Sequence, residues 1–205
     1  QVNSESEKHF VRYRLIEVAR KSLADSILVQ LQQGVSFQKL ARQHSLHASA
    51  KHGGAAGWTA LDSVENHFKP AIISLASGEN STILQNASHF FILNKTNELS
   101  GSDYLQWKQR ESQVDSLTKS IESLLGTGNF PTMMHLIKEA EGLVAQLKDE
   151  EANLKILNFK GLASIGLGQF RDAVLVFSSI LKTSRTNGDN RMEGSALANL
   201  GNAYC

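Results

Sequence analysis

The sequence predicts an α+β domain followed by an all-α array of helical repeats. Three observations carry this prediction. Residues 11–98 mix strand-like alternation with helical spacing, the apolar rhythm is helical only from residue 103, and part of that helical stretch returns on itself after 40 residues. A polar tail (1–10) precedes the domain, and a linker helix is expected over 99–112. The array fills 113–205 as about two units plus the first helix of a third, an array cut short at its C-terminal end.

The elements of the front domain follow in order. Val11 to Val18 reads as a strand whose apolar positions, Val11, Tyr13 and Leu15, give way to Ile16 and Val18, so the alternation slips once. Leu23, Ile27, Leu28 and Leu31 recur at helical spacing, and Gly34 is a natural stop. Ser36 is placed to cap a second helix through Phe37, Leu40 and Ala41. A glycine-rich loop comes next, then a short helix from Lys69-Pro70 to Leu75 closed by Gly78. Ser81–Leu84 and Ser88–Asn94 read as closing strands. Strand, helices, loop, short helix and strands make a small antiparallel sheet wrapped by helices.

The repeat is visible residue by residue. Gly168-Gln169-Phe170, Ala173, Phe177 and Ile180 have counterparts in Gly128-Asn129-Phe130, Met133, Ile137 and Ala140, and Gly201 follows Gly161 at the same interval. Small residues at Gly161 and Ala173 let paired helices approach, while Phe170, Phe177, Ile180 and Leu181 fill the space between neighbours. Leu200-Gly201-x2-Tyr204 and Gly168-x-Phe170-x2-Ala173-x3-Phe177 resemble tetratricopeptide (TPR) repeats, with a longer period than the usual one of about 34 residues. That resemblance implies a protein-binding array.

Composition excludes several classes. A net charge of +1 over 205 residues gives no field for nucleic acid or an anionic membrane. No apolar run approaches the ~18 residues of a membrane-spanning helix. The single cysteine, Cys205, permits no internal disulfide and leaves the redox compartment unreadable. The polar start lacks Met and is neither a signal nor a transit peptide, so it reads as the edge of a larger protein. Localisation is therefore unreadable, with an organelle such as a chloroplast among the options.

The stretch Ser45-Leu46-His47-Ala48-Ser49-Ala50-Lys51-His52-Gly53-Gly54-Ala55-Ala56-Gly57-Trp58 is the most distinctive local signal. A phosphate cradle would need the lysine after the glycines and a helix starting there, and neither pattern is present. A zinc site on His44, His47 and His52 would lack a companion cysteine and a regular ligand spacing. Taken with Val11–Val18, Phe37-x2-Leu40-Ala41, Phe68-x6-Leu75 and His89-Phe90-Phe91-Ile92-Leu93, the loop resembles the parvulin-type (PpiC-like) peptidyl-prolyl cis-trans isomerase domain, or rotamase.

The resemblance implies a four-stranded antiparallel sheet and a reaction needing no metal and no cofactor. Prolyl isomerisation breaks no covalent bond. It must lower a barrier of about 18–20 kcal/mol set by amide resonance, so a proline-sized apolar cup and polar groups favouring the twisted amide suffice. On that resemblance His89 and His47 are the catalytic candidates. Phe68, Val64, Ala56, Leu15 and Trp58 are the substrate-binding ones. Two departures stand out: Leu15 occupies a position where the family usually has histidine, and Ala56 one where it has a larger apolar residue. The implied partners are proline-containing segments of client proteins, with a further protein partner for the repeats, in protein folding or complex assembly. An isomerase of low activity and a non-catalytic chaperone or scaffold both remain open at this level.

Overall fold

A computed structural model describes residues 5–204. The first four positions of the expected tail and Cys205 lie outside the described residues. Two compact units emerge, one from residues up to Leu105 together with Thr186–Gly188, the other from the remainder of 106 onward.

The first unit is a four-stranded antiparallel sheet of β1 (His9–Val18), β2 (Ala55–Ala60), β3 (Leu84–Gln85) and β4 (Phe90–Ser100), in the order β2-β1-β4-β3. Helices α1 (Lys21–Gln32), α2 (Phe37–His44) and α3 (Lys69–Ser74) complete it. α2 starts where Ser36 Oγ accepts the Lys39 N–H at 3.4 Å, and α3 starts with proline in its first turn.

The central strand β1 does not slip. It is buried on both faces, and alternation sends its side chains to two separate cores. Ile16 and Val18, with Ile92 of β4, pack under Ala24, Ile27, Leu31, Phe37, Leu40 and Ala41 of α1 and α2. Val11, Tyr13 and Leu15, with Phe91 and Leu93, pack on the other face against Val64, Phe68 and Ile72. Strand β1 stays regular because the register breaks fall on its neighbours. Ala56 is the extra residue of β2 between the pairs Tyr13–Gly57 and Arg14–Ala55, and Thr96 is the extra residue of β4 between Arg12–Asn97 and Tyr13–Lys95. The Thr96 hydroxyl ties its bulge down by donating to the Arg12 carbonyl at 2.9 Å.

The first closing strand is shorter than the sequence suggests. Ser81 places its own hydroxyl in the ladder, accepting the Leu93 N–H at 2.9 Å. Regular pairing therefore begins only at Leu84. Strand β4 begins at Phe90, so His89 stands just before it.

The helical unit comprises α4 (Gly101–Thr127, whose first turns belong to the first unit), α5 (Phe130–Leu147), α6 (Glu150–Gly166), α7 (Phe170–Asn187) and α8 (Asn190–Tyr204). Of the stretch expected as a linker helix, residues 99–100 still belong to β4, and α4 takes up the rest from Gly101. α5 and α7 bury the same positions. Met133, Ile137, Ala140 and Val144 correspond, at a spacing of 40, to Ala173, Phe177, Ile180 and Ser184. α6 and α8 start alike, with Asp149 and Asp189 accepting the N–H groups of Ala152 and Met192 at 3.1 and 3.0 Å. A Cβ at Gly161 would collide with the Phe177 ring, so the ring of α7 reaches this close to α6 because that position is glycine. The Trp107 indole N–H donates to the Leu147 carbonyl at 3.2 Å, anchoring α4 to the end of α5.

Candidate functional site

The glycine loop serves the backbone of β1. Strand β2 pairs with β1 only as far as Arg14. Beyond that point the loop takes over: the Leu15 N–H donates to the Gly54 carbonyl at 2.8 Å, the Leu46 N–H to the Glu17 carbonyl at 2.8 Å, and the Glu17 N–H to Ser45 Oγ at 3.1 Å. The Arg14 guanidinium adds a bond to the Gly53 carbonyl at 3.0 Å. Gly54 has φ +80°, and a Cβ there would stand 2.6 Å from the Leu15 carbonyl oxygen. The approach therefore requires glycine twice over, for its conformation and for its missing side chain.

His47 begins the 3-10 turn Ala48–His52 as its cap. Its Nδ1 accepts the Ser49 N–H at 3.2 Å and lies 2.8 Å from Ser49 Oγ. In the neutral ring this leaves the proton on Nε2. Among the described residues no three of His, Cys, Asp and Glu converge as a metal site would need.

Four of the expected substrate-binding residues do meet. Leu15, Val64 and Phe68 belong to one buried cluster, and Ala56 packs on it from the β2 bulge. Phe68 is the deepest, 2% exposed, with its ring edge-on to Phe91 at 5.2 Å between centroids. Trp58 does not join them. It pairs with Arg12, on the opposite face of the sheet, and its indole meets Tyr104 edge-on at 6.0 Å. The bulge at Ala56 puts it there, since unbroken pairing from Arg14–Ala55 would have set Trp58 opposite Val11, on the face of Phe68.

His89 stands at the rim of the cluster, not on a buried strand. The turn before β4 holds its backbone, with Asn86 Oδ1 accepting the His89 N–H at 2.8 Å. Its Nδ1 lies 3.6 Å from Glu17 Oε1, and the imidazole is 34% exposed. Glu17 pairs with Phe91 across β1 and β4, which puts this histidine–carboxylate pair on the face that carries Phe68. The side chain facing Phe68 from β4 is the phenyl ring of Phe91, two residues further on.

The other end of the apolar patch is polar too, and sequence reasoning did not single it out. Tyr13 lies opposite Lys95, whose buried ammonium is paired with Glu98 at 2.6 Å. The Tyr13 phenol has its pKa pushed above 10.0, first by burial, which disfavours the phenolate, and second by the negative charge of Glu65. Glu65 also lies 3.6 Å from Nδ1 of His67, and the His67 ring rests on Phe68 at 3.8 Å and edge-on to Phe91 at 5.6 Å. The site is therefore an apolar centre of Leu15, Val64, Phe68 and Phe91, with Glu17–His89 at one end, Tyr13 at the other, and the His67 ring, paired with Glu65, against Phe68. Period-two counting from Leu15 to Glu17 and Tyr13 would have found two of these. His67 carried no signal beyond its place next to Phe68.

Residues 12–98 match the family model of the PPIC-type PPIase domain. The front half is thus similar to a PpiC-type parvulin domain. Over 105 residues the chain is 32% identical to the foldase protein PrsA of Bacillus subtilis, covering 51% of this chain and 36% of PrsA. Over 75 residues it is 32% identical to the chaperone SurA of Nitrosococcus oceani, covering 37% of this chain and 18% of SurA. The chain thus spans about a third of the one relative and under a fifth of the other. A solved PpiC-type isomerase domain aligns with 46% of this chain and 95% of its own length, at 26% identity and a TM-score of 0.44. The loop, the bulged β2 and Leu15, Val64 and Phe68 all fall inside the matched range. Among the described residues no helix is long and apolar enough to cross a membrane.

Proposed function

We propose that the parvulin domain, residues 11–98, receives proline-containing segments of client proteins and isomerises them at low rate. The helical units behind it, which we read as TPR-type repeats over 113–205 joined through 99–112, bind a protein partner and raise the local concentration of substrate. The whole acts in protein folding or complex assembly. The observation that carries this reading is the convergence of Leu15, Val64 and Phe68, with Ala56 beside them, on one sheet face under the His89–Glu17 pair. The repeat reading is supported by the matching buried positions of α5 and α7. The names of the relatives, foldase and chaperone, point the same way.

The chemistry asks little of the protein. An apolar patch desolvates the proline ring, and polar groups at its edges favour the twisted amide over the planar one. His89 with Glu17, and the hydroxyl of Tyr13, are the edge groups offered. His47 has Nε2 for the same work, since its Nδ1 is occupied by Ser49.

A second reading has its own observation. Leu15 puts an apolar side chain where the resemblance places an imidazole, and Phe68 is covered. On this reading the fold holds unfolded or extended chain without turning prolines. A prolyl exchange assay on Ala-Pro peptides decides between them. The first reading expects exchange above the buffer rate, falling at least tenfold in Phe68→Ala. Exchange equal to buffer, recovered by Leu15→His with Ala56→Leu, would establish the second.

A further inference from the structure

Phe68, the floor of the proposed proline recess, is covered in the free protein, and the His67 ring is one of the groups against it. Phe68 is 2% exposed and Phe91 5%. The His67 imidazole lies on Phe68 with centroids 3.8 Å apart and the planes inclined by 50°. That ring is 37% exposed, so of the three it is the outermost. Its Nδ1 is held 3.6 Å from Glu65 Oε2. The substrate ring and the imidazole would need the same face of Phe68.

We infer that His67 is an internal competitor for the proline recess: its imidazole occupies the Phe68 surface a prolyl ring would take and must swing out, away from Glu65, before substrate can seat. This rests on the proline-binding reading above and adds a residue to it. Val64, Leu15 and Phe91 form the walls and stay in place. His67 is the half-exposed member, and its neighbour Glu65 is more exposed still. Rotation of that side chain about its own bonds opens the recess without moving the sheet. The competitor costs affinity roughly in proportion to the strength of one ring–ring contact. Such a contact corresponds to about a 2- to 10-fold change in a dissociation constant.

The test is a titration of the whole chain with a blocked Ala-Ala-Pro-Phe peptide, followed by the aromatic NMR signals of Phe68, with Ala-Ala-Ala-Phe as control. His67→Ala is expected to bind the proline peptide roughly 2- to 10-fold more tightly than wild type. His67→Phe, which restores a ring on Phe68, is expected to return the affinity to the wild-type value or below. If the proline peptide moves the Phe68 signals in both proteins but His67→Ala binds no more tightly, the competitor role is overturned while the recess stands. If neither protein distinguishes the two peptides and the Phe68 signals stay still, the recess itself is refuted and the role of His67 falls with it.

Discussion

The charged residues bordering the Phe68 cluster are held by nameable partners. Glu17 and Glu65 each face an imidazole nitrogen at 3.6 Å, and Lys95 is buried but answered by Glu98. Tyr13 carries a measurable consequence. Its folded-state pKa is raised, so the folded protein holds the phenolic proton more tightly than the unfolded chain does. The resulting stability is fully present below the unfolded value of about 10 and is lost as pH rises from there toward the folded value. Denaturant titrations at pH 8, 9, 10 and 11 should show stability falling above about pH 10. Tyr13→Phe should make that fall shallower. An unchanged alkaline decline in the variant would remove Tyr13 as its source. The sequence showed Tyr13 as a strand residue and no more, because the charge that acts on it comes from Glu65, which is remote along the chain. His89 was legible as a histidine near a strand. Its partner Glu17 became visible only when the register placed it opposite Phe91.

At the scale of elements, the loop and β1 form one unit of hydrogen bonding, and the glycines are its condition. Gly54→Ala adds a Cβ 2.6 Å from the Leu15 carbonyl oxygen at φ +80°. Gly57→Ala has a similar φ, +77°, but meets nothing within 4 Å. Both variants bear the left-handed penalty of about 1–2 kcal/mol. Only the first also loses the Leu15–Gly54 bond, so it should be the more destabilised by at least about 1 kcal/mol, as read by urea unfolding. Equal losses would show that the close approach is unimportant. The first two helices were legible because spacing, Ser36 and Gly34 are local signals, whereas the caps Asp149 and Asp189 were not singled out. The apparent slip at Leu15–Ile16 was misread for an instructive reason. A strand apolar on both faces shows no clean alternation, and sequence alone cannot tell that from a shift in register. The bulges at Ala56 and Thr96 were illegible, since each is defined by what lies opposite in another strand. The displacement of Trp58 to the far face follows from the first of them.

On the scale of the whole molecule, the chain has separate cores, and the two that flank the sheet interleave along the sequence while the helical one does not share residues with them. Two flank the sheet between Val11 and Leu93, and another gathers Leu154, Ala173, Phe177, Ile180, Ala196 and Ala203 from the helices. The change of rhythm after residue 98 was readable because each kind of core imposes its own period on the residues that fill it. The correspondence between α5 and α7 was readable only in part. Met133 and Ala173 differ in size, as do Ala140 and Ile180, so burial recurs at these positions while residue identity does not. Strand β1 stands between the two sheet cores, with a neighbour along each edge and packing above and below. Any fluctuation that bares its amides must dismantle both layers at once. In deuterium exchange the N–H groups of Val11 to Ile16 should therefore be the last of the front domain to take up label, while the two-residue outer strand at Leu84–Gln85 fills early. The time separating those two signals measures how much of the domain can breathe while its middle stays shut.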